Sequence, residues 1–326
     1  MGKVYIRGTD RRGRPVGYVK ISLHKPGAQS EETLEKLIVH TIETARCLFA
    51  TPSAPAESFC VVFDLTDFSL SNMEWQPVKF IIRAFEANYP ECLGALLIHN
   101  APWIFSGIWK IIRTLLDPVV AAKVDFTRNT AGLEKYIARE NIISAYGGDD
   151  DWTYAYVEPS LDEDARIVLP PEDDSSSSFS AERKEKEKEK EKADIMAERH
   201  EIAERFLAAT HAWIKHAETP GESEEAAIQA QLRSNAAEAL WANYWKLDPC
   251  VRSRTVLDRT GVIKPGGEVE MYPDRRRKEV DGEEEVKGKE EDNAAAAAVD
   301  ERLQDLTIQD LPVPIPVKKK RSWGRQ

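Results

Sequence analysis

Residues 59–126 alternate short, uninterrupted apolar runs with longer segments of helical periodicity, and this constrains the fold more than any other feature of the chain. Phe59-Cys60-Val61-Val62-Phe63-Asp64-Leu65 carries apolar side chains on both faces until Asp64, the pattern of a strand covered on both sides. Leu93 to His99 repeats that pattern. Between them, Glu74 to Tyr89 reads as a helix whose buried stripe is Val78, Ile81, Ile82, Phe85 and Tyr89. A helical crossover between two such strands makes them parallel partners in one sheet. The next helix, Trp103 to Leu116, is apolar on more than one side. Ile104, Ile108, Ile111, Ile112 and Leu115 form one stripe, and Phe105, Trp109, Ile112 and Leu116 another. Such a helix has more apolar surface than one core face can hide, so it points to a membrane or a captured lipid as its second partner.

The rest of the chain sorts around this unit. Residues 4–7 and 16–23 read as strands flanking a turn rich in Gly, Arg and Pro. Ser30 is placed to cap a helix carrying Leu34, Leu37, Ile38, Thr41, Ile42, Ala45 and Leu48, with Glu31 and Glu32 in its first turn. Residues 50–57 read as a loop, Val124 to Phe126 as a short strand, Thr130 to Tyr136 as a short helix and Gly147-Gly148-Asp149 as a tight turn. The compact domain is expected to span 1–159. Residues 160–197, with Pro170-Pro171, serines at 175–178 and alternating Lys and Glu, read as a linker or a solvated charged helix. Helical periodicity returns at 198–217 and 222–247, where Phe206, Leu207, Trp213, Leu232, Leu240, Trp241 and Trp245 suit a helical pair packed back on the domain, with this extension ending near 264. Residues 265–326 are rich in Gly, Glu, Ala and Lys and are expected to be disordered.

Charge narrows the function. The formal net charge is −11, with −2 in residues 1–160 and −9 in 161–326, so the domain is near neutral and has no basic stripe for nucleic acid. Cys47, Cys60, Cys92 and Cys250 lack metal or redox spacing. Cys60 reads as a small buried hydrophobe, and free thiols suit a reducing, cytoplasmic setting. Met1-Gly2-Lys3-Val4-Tyr5 leads into strand-like sequence rather than a signal peptide, and Ile6 breaks the myristoylation pattern. No apolar run reaches the ~18 residues of a membrane span, so membrane contact is expected to be peripheral.

Chemistry-bearing motifs are sparse. His99 ends a strand and reads as a hydrogen-bonded core residue before it reads as a metal or haem ligand. His211 and His216 are spaced off a common helix face, and Gly8, Gly13 and Gly17 lack the strand–turn–helix setting of a phosphate loop. No nucleophile elbow and no paired catalytic acids stand out, so no catalytic residue, metal ligand or cofactor is assigned. The basic clusters Arg275-Arg276-Arg277-Lys278 and Lys318-Lys319-Lys320-Arg321 read as solvated tail, or else as sites for anionic lipid or a nuclear address.

Several motifs carry a resemblance. Asp64-Leu65, Phe68-Ser69-Leu70-Ser71-Asn72-Met73, Asn88-Tyr89-Pro90-Glu91, Ile98-His99-Asn100-Ala101-Pro102-Trp103-Ile104-Phe105, Leu116-Asp117-Pro118-Val119 and Gly147-Gly148 follow one another over residues 3–157. In that order they resemble the CRAL-TRIO lipid-binding domain, and within it the fungal phosphatidylinositol transfer proteins of the yeast secretory type. The resemblance implies an α/β fold, with a mixed sheet flooring an apolar cavity and a mobile gate helix closing it. Phe59, Val61, Phe63, Leu96 and Ile98 would line the cavity. Ile104, Phe105, Ile108, Trp109, Ile112 and Leu116 would belong to the gate. Glu91 and Lys123 stand where the family's phosphatidylinositol-binding members place headgroup residues, although Val120 replaces a family Thr. Phe59 and Val61 stand near the Ser and Thr of phosphatidylcholine binders, which argues against that lipid and leaves room for a sterol or squalene. Family members also begin with a helical bundle before the first strand, so this chain is expected to be a truncated form.

The implied activity is non-enzymatic binding and transfer of a lipid, phosphatidylinositol first, between membranes that the protein touches transiently. The alternative is a lipid-sensing adaptor without transfer activity.

Overall fold

The computed structural model describes residues 2–49, 56–160, 162–167, 179–217 and 223–275. Five strands form one sheet in the order β1 (Val4–Thr9), β2 (Pro15–Lys20), β3 (Phe59–Asp64), β4 (Leu93–His99), β5 (Val124–Thr127). β1 and β2 are antiparallel, and β2 through β5 are parallel, so the sheet is mixed. The hairpin between β1 and β2 turns on Asp10, whose carboxylate accepts from the Arg12 and Arg14 backbone N–H groups and from Arg14 Nε.

Each parallel pairing needs a crossover, and helices supply them. α1 (Glu31–Arg46) joins β2 to β3, and the Ser30 hydroxyl caps it by accepting from Thr33 N at 3.2 Å, as the sequence predicts. α2 (Trp75–Asn88) joins β3 to β4. α3 (Phe105–Leu115) and α4 (Pro118–Ala122) join β4 to β5. The break between α3 and α4 falls just after Leu116, where the sequence ends its helix. Asp117 precedes Pro118 and is therefore held extended (ψ 142°), and its side chain caps the new helix at Val119 N, 2.7 Å away.

The two faces of the sheet are filled differently. On one face Tyr18, Val16, Cys60, Val62, Ala95 and Leu97 are fully buried beneath Leu133, Ile137, Ile142, Ile143 and Tyr146, residues supplied by α5 (Thr130–Glu134) and the loops after it. Burial pushes the Cys60 thiol up to about 12, consistent with an inert core hydrophobe. The other face carries α1, α2 and α3: Phe59 meets the rings of Phe49 and Phe85, and Ile98 meets Phe105 and Ile108.

Beyond Pro159 the chain forms α6 (Phe179–Ala217), α7 (Ser223–Val251) and α8 (Val256–Arg259). The Lys-Glu repeat is helical and belongs to α6. Trp245, Leu257, Val262 and Ile263 pack on Leu48 and Ile6, so the extension buries the end of α1 and the outer side of β1. Contact continues past residue 264. Gly267 (φ +86°) lies flat on the Trp245 ring, where any Cβ would collide, and Thr9 N donates to Tyr272 Oη at 2.9 Å. Arg7 is buried between the Trp152 and Tyr272 rings and paired in two-pronged fashion with Asp150 at 2.8 and 3.0 Å. The loop at 50–55, the stretch at 168–178, the tail from 276 onward and its basic clusters lie outside the described residues.

The extension therefore belongs to the folded unit. A chain ended after Pro159 would expose the surface that Trp245, Leu257, Val262 and Ile263 cover, at roughly 1.5–3 kcal/mol per large side chain. That is comparable to the whole stability of a domain. Such a fragment is expected to be aggregated or unfolded by circular dichroism, and Leu257→Ala in the full chain is expected to cost about 2–5 kcal/mol in urea denaturation.

Candidate functional site

On the helix-covered face of the sheet the alternation of the strands leaves apolar side chains that the helices cover only in part. Val61, Phe63 and Leu96 are half-buried, whereas their neighbours Val62 and Leu97 on the opposite face are completely buried. α2 presents Val78, Ile81 and Ile82, also half-buried, while its most buried residue is the small Ala84. Of the apolar stripe read from the sequence of α2, Tyr89 is as buried as Ala84 and Phe85 packs beside it, while the other three residues stay half-buried. Phe59 and Ile98, the other two residues expected to line a cavity, are closed off by Phe49 and Phe85 in one case and by Phe105 and Ile108 in the other.

α3 packs on this face. Phe105 and Ile108 are buried against Leu65, Phe68 and Ile98, with the Phe105 and Phe68 rings edge to face at 5.9 Å. Ile104, Trp109 and Ile112 are half-buried in the same cluster, and Trp109 meets the Phe126 ring at 5.4 Å. Ile104 and Leu116 cap the two ends of the helix. Its opposite side is exposed and apolar: Ile111 and Leu115 on the helix, Trp103 before it at 86 % exposure and Val119 after it. Lys110 and Arg113 are exposed on the same helix. Val119 and the exposed Phe126 were not singled out by periodicity, because they lie on elements too short to show any. No helix among the described residues is long and apolar enough to cross a membrane.

Glu91 and Lys123, 32 residues apart, meet where β4 and β5 begin: Lys123 Nζ donates to Glu91 Oε2 at 3.1 Å. The Lys123 side chain is 23 % exposed and that of Glu91 84 %. Glu91 also adopts a left-handed backbone (φ +58°), which an L-residue with a long side chain adopts at a cost of about 1–2 kcal/mol. A strained residue in an exposed ion pair contributes little to stability, so its placement calls for another reason.

A second polar group lies at the opposite, carboxyl ends of the strands. Lys20, Asp64, His99 and Thr127 are successive register partners across β2, β3, β4 and β5. His99 Nδ1 is hydrogen-bonded to Thr127 Oγ1 at 2.9 Å, and the ring stands edge to face with Tyr146, in keeping with a core histidine. Tyr146 Oη donates to Asp64 Oδ2 at 2.9 Å. No group of three or more His, Cys, Asp or Glu side chains that could hold a metal occurs among the described residues.

Two measurements test these assignments. Lys123→Ala is expected to lower stability by less than about 1 kcal/mol, and Glu91→Gly to be neutral or stabilising by up to about 1 kcal/mol, in denaturant titrations. A larger loss from either variant would make the pair structural. Burial lowers the His99 pKa below its ordinary value, with Asp64 opposing the shift. The unfolded chain then takes up that proton first, so the stability His99 contributes is full above about pH 6.5 and is lost as pH falls toward its folded value. Tm should fall from about pH 7 to pH 5 more steeply in the wild type than in His99→Gln.

Comparison with known proteins places these features. A sequence profile described as the CRAL/TRIO domain matches residues 1–148. A CRAL-TRIO domain-containing protein of Schizosaccharomyces pombe is 40 % identical over 265 residues, covering 81 % of this chain and 53 % of the relative. Phosphatidylinositol transfer protein CSR1 of Eremothecium gossypii is 38 % identical over 264 residues, covering 81 % of this chain and 55 % of that protein. The chain thus spans about half the length of the curated relatives it matches. Among solved structures, the crystal structure of Sfh5 aligns with a TM-score of 0.40 at 18 % identity, over 45 % of this chain and 55 % of the other. The mixed five-stranded sheet with its helices, the ordered motifs and the profile match converge on one statement: residues 1–148 match the CRAL/TRIO domain.

Proposed function

We propose that this protein binds a lipid between the half-covered sheet face and α3 and carries it from one membrane to another without altering it chemically. The observation that carries this reading is the contrast between the two sheet faces: Val62 and Leu97 are sealed, whereas Val61, Phe63 and Leu96 are half-open toward α3. A lipid leaving a bilayer exposes its chains at ~0.8 kcal/mol per methylene, on the order of 20 kcal/mol for two acyl chains. An apolar space at the membrane surface removes most of that barrier.

α3 suits the role of gate because it has two apolar sides. Its inner side, Phe105 and Ile108, closes on the sheet, and its outer side, Trp103, Ile111 and Leu115, meets acyl chains when the protein docks. Lys110 and Arg113 would face lipid phosphates, at about 1 kcal/mol per cation near an anionic surface. Glu91 and Lys123 would exchange their mutual ion pair for a headgroup, which accounts for a strained, exposed pair that adds little to stability. The name of the Eremothecium gossypii relative makes phosphatidylinositol the first candidate lipid. A second reading, a more apolar ligand such as a sterol or squalene, is favoured by Phe59 and Val61, which offer a buried headgroup no polar partner.

Native mass spectrometry with lipid extraction, on protein from a eukaryotic host, decides between these. Stoichiometric phosphatidylinositol is the expected result. A bound sterol or squalene would keep the carrier and remove the headgroup role of Glu91 and Lys123. Absence of any lipid, together with unchanged vesicle association of an Ile111→Asp, Leu115→Asp double variant, would overturn the carrier itself and leave an adaptor.

A further inference from the structure

The carboxyl edge of the sheet has chemistry that a lipid carrier does not use. Lys20, Asp64, His99 and Thr127 form its last rung, two residues beyond Tyr18, Val62, Leu97 and Asp125 on the same face. That face packs on Leu133, Ile137 and Ile142, so the rung lies on the far side of the sheet from α3. Above the rung opens a cleft of about 480 Å³, bounded also by Ser22, Thr66, Asp67, Asn100, Asn129 and Tyr146.

Half of these groups are already satisfied. Asp64 accepts from Thr66 N and Tyr146 Oη, Thr130 Oγ1 donates to the Tyr146 carbonyl, and Asn100 Nδ2 donates to Thr66 Oγ1. The others are not. His99 is only 2 % exposed, yet among the described residues its sole hydrogen bond is through Nδ1, which leaves Nε2 without a partner. The Lys20 ammonium has aromatic neighbours, Tyr5 and Tyr146 at 5.9 and 6.0 Å, and no carboxylate within ion-pair distance among the described residues. The Asn129 carbonyl oxygen caps α5, and among the described residues neither its NH₂ nor the exposed Asp67 carboxylate at the rim has a hydrogen-bond partner. His99 Nε2 is not among the sealed polar atoms that lack a partner, so it opens onto the cleft, as the half-buried Lys20 and the exposed Asn129 and Asp67 do. Along the cleft the sheet order places a cation at the β2 end and then an exposed carboxylate, an imidazole nitrogen and a spare amide toward the β5 end, a set that matches a ligand carrying both an anion and hydroxyl groups.

We propose that this cleft is a second ligand site, for a small soluble hydroxylated anion of the polyol phosphate class, with Lys20 meeting the anion and Asp67, His99 Nε2 and Asn129 meeting the hydroxyls. The rung spans three strand spacings, and Lys20 and His99 stand two spacings apart, about 10 Å, so one such molecule reaches both through their side chains. Because the site and α3 lie on opposite faces, the proposal stands apart from the lipid reading.

The test is nitrogen NMR of the His99 imidazole in the full chain, titrated with glycerol 3-phosphate, inorganic phosphate and glycerol. Glycerol 3-phosphate is expected to shift the Nε2 signal saturably, inorganic phosphate to bind more weakly, and glycerol to bind least. Lys20→Gln should weaken glycerol 3-phosphate by about tenfold or more, the loss of one charge-assisted bond. Asp67→Asn should weaken glycerol 3-phosphate while leaving inorganic phosphate unimpaired. Asp67 already has φ +58°, which Asn tolerates, and it is exposed, so this variant keeps the test open should Lys20→Gln not fold. An unmoved Nε2 signal, equal binding of glycerol and its phosphate, or retention of affinity in both variants would overturn the site. A shift produced only by vesicles containing phosphatidic acid would assign the cleft to a lipid headgroup and overturn a soluble ligand.

Discussion

Parallel pairing of β2 through β5 is the constraint from which the other features follow. A parallel neighbour cannot be reached by a tight turn, so each pairing draws a helical crossover over the sheet. Here α1, α2 and the α3–α4 pair all cross on one face, as the contacts of Phe59 with Phe49 and Phe85 and of Ile98 with Phe105 show. The opposite face must then be covered by chain that follows the last strand, and Leu133, Ile137, Ile142 and Tyr146 do this with complete burial of Tyr18, Val62 and Leu97. The asymmetry is physical. Loops and short turns settle into the pleats of a sheet, whereas three crossover helices of fixed diameter cannot close every gap over a curved surface.

That asymmetry gives the two edges of the sheet different work. At the amino ends of β4 and β5, an exposed ion pair and a left-handed Glu91 border the half-open face. At the carboxyl ends, a polar rung lies over the sealed face, with His99 and Asp64 held by Thr127 and Tyr146. The ion pair at the amino end is exposed and cheap to rearrange, while Asp64, His99 and Thr127 at the carboxyl end are buried and held by hydrogen bonds.

The C-terminal helices are tied to the sheet by more than apolar packing. Arg7 reaches Asp150 within a nearly dry site closed by Trp152 and Tyr272. Arg259 forms an ion pair with Glu163 at 2.8 Å, and Arg252 and Arg254 both bind Asp248 and Asp258. These ion pairs hold the domain and the extension each together internally, and the polar links that cross between the two include the Thr9 N–Tyr272 Oη bond, the stacking of Arg7 on the Tyr272 ring and the bond from Arg259 to the Val157 carbonyl. The family match ends at residue 148, whereas the packed unit runs on through Tyr272, because the edge strand β1 needs a cover that the matched region lacks.

Much of the fold was legible from local pattern. The doubly apolar runs at 59–65 and 93–99 predicted β3 and β4 within a residue or so, Ser30 predicted the start of α1, and the motif order pointed to the family. These signals are local, since side-chain period and capping chemistry act over a few residues. The helix read as Trp103 to Leu116 ends where α3 ends, before the Asx cap at Asp117 and Pro118, whereas α4 is too short to show a period of its own. What only the tertiary structure decided was register and cover. No period along the chain reveals that Lys20, Asp64, His99 and Thr127 align across four strands, or that Glu91 meets Lys123, because strand pairing brings together residues tens of positions apart. Nor does any local pattern show that Val61 stays half-open while Val62 is sealed. Both are valines in one strand, and their difference is set by which of the two faces the crossover helices failed to fill.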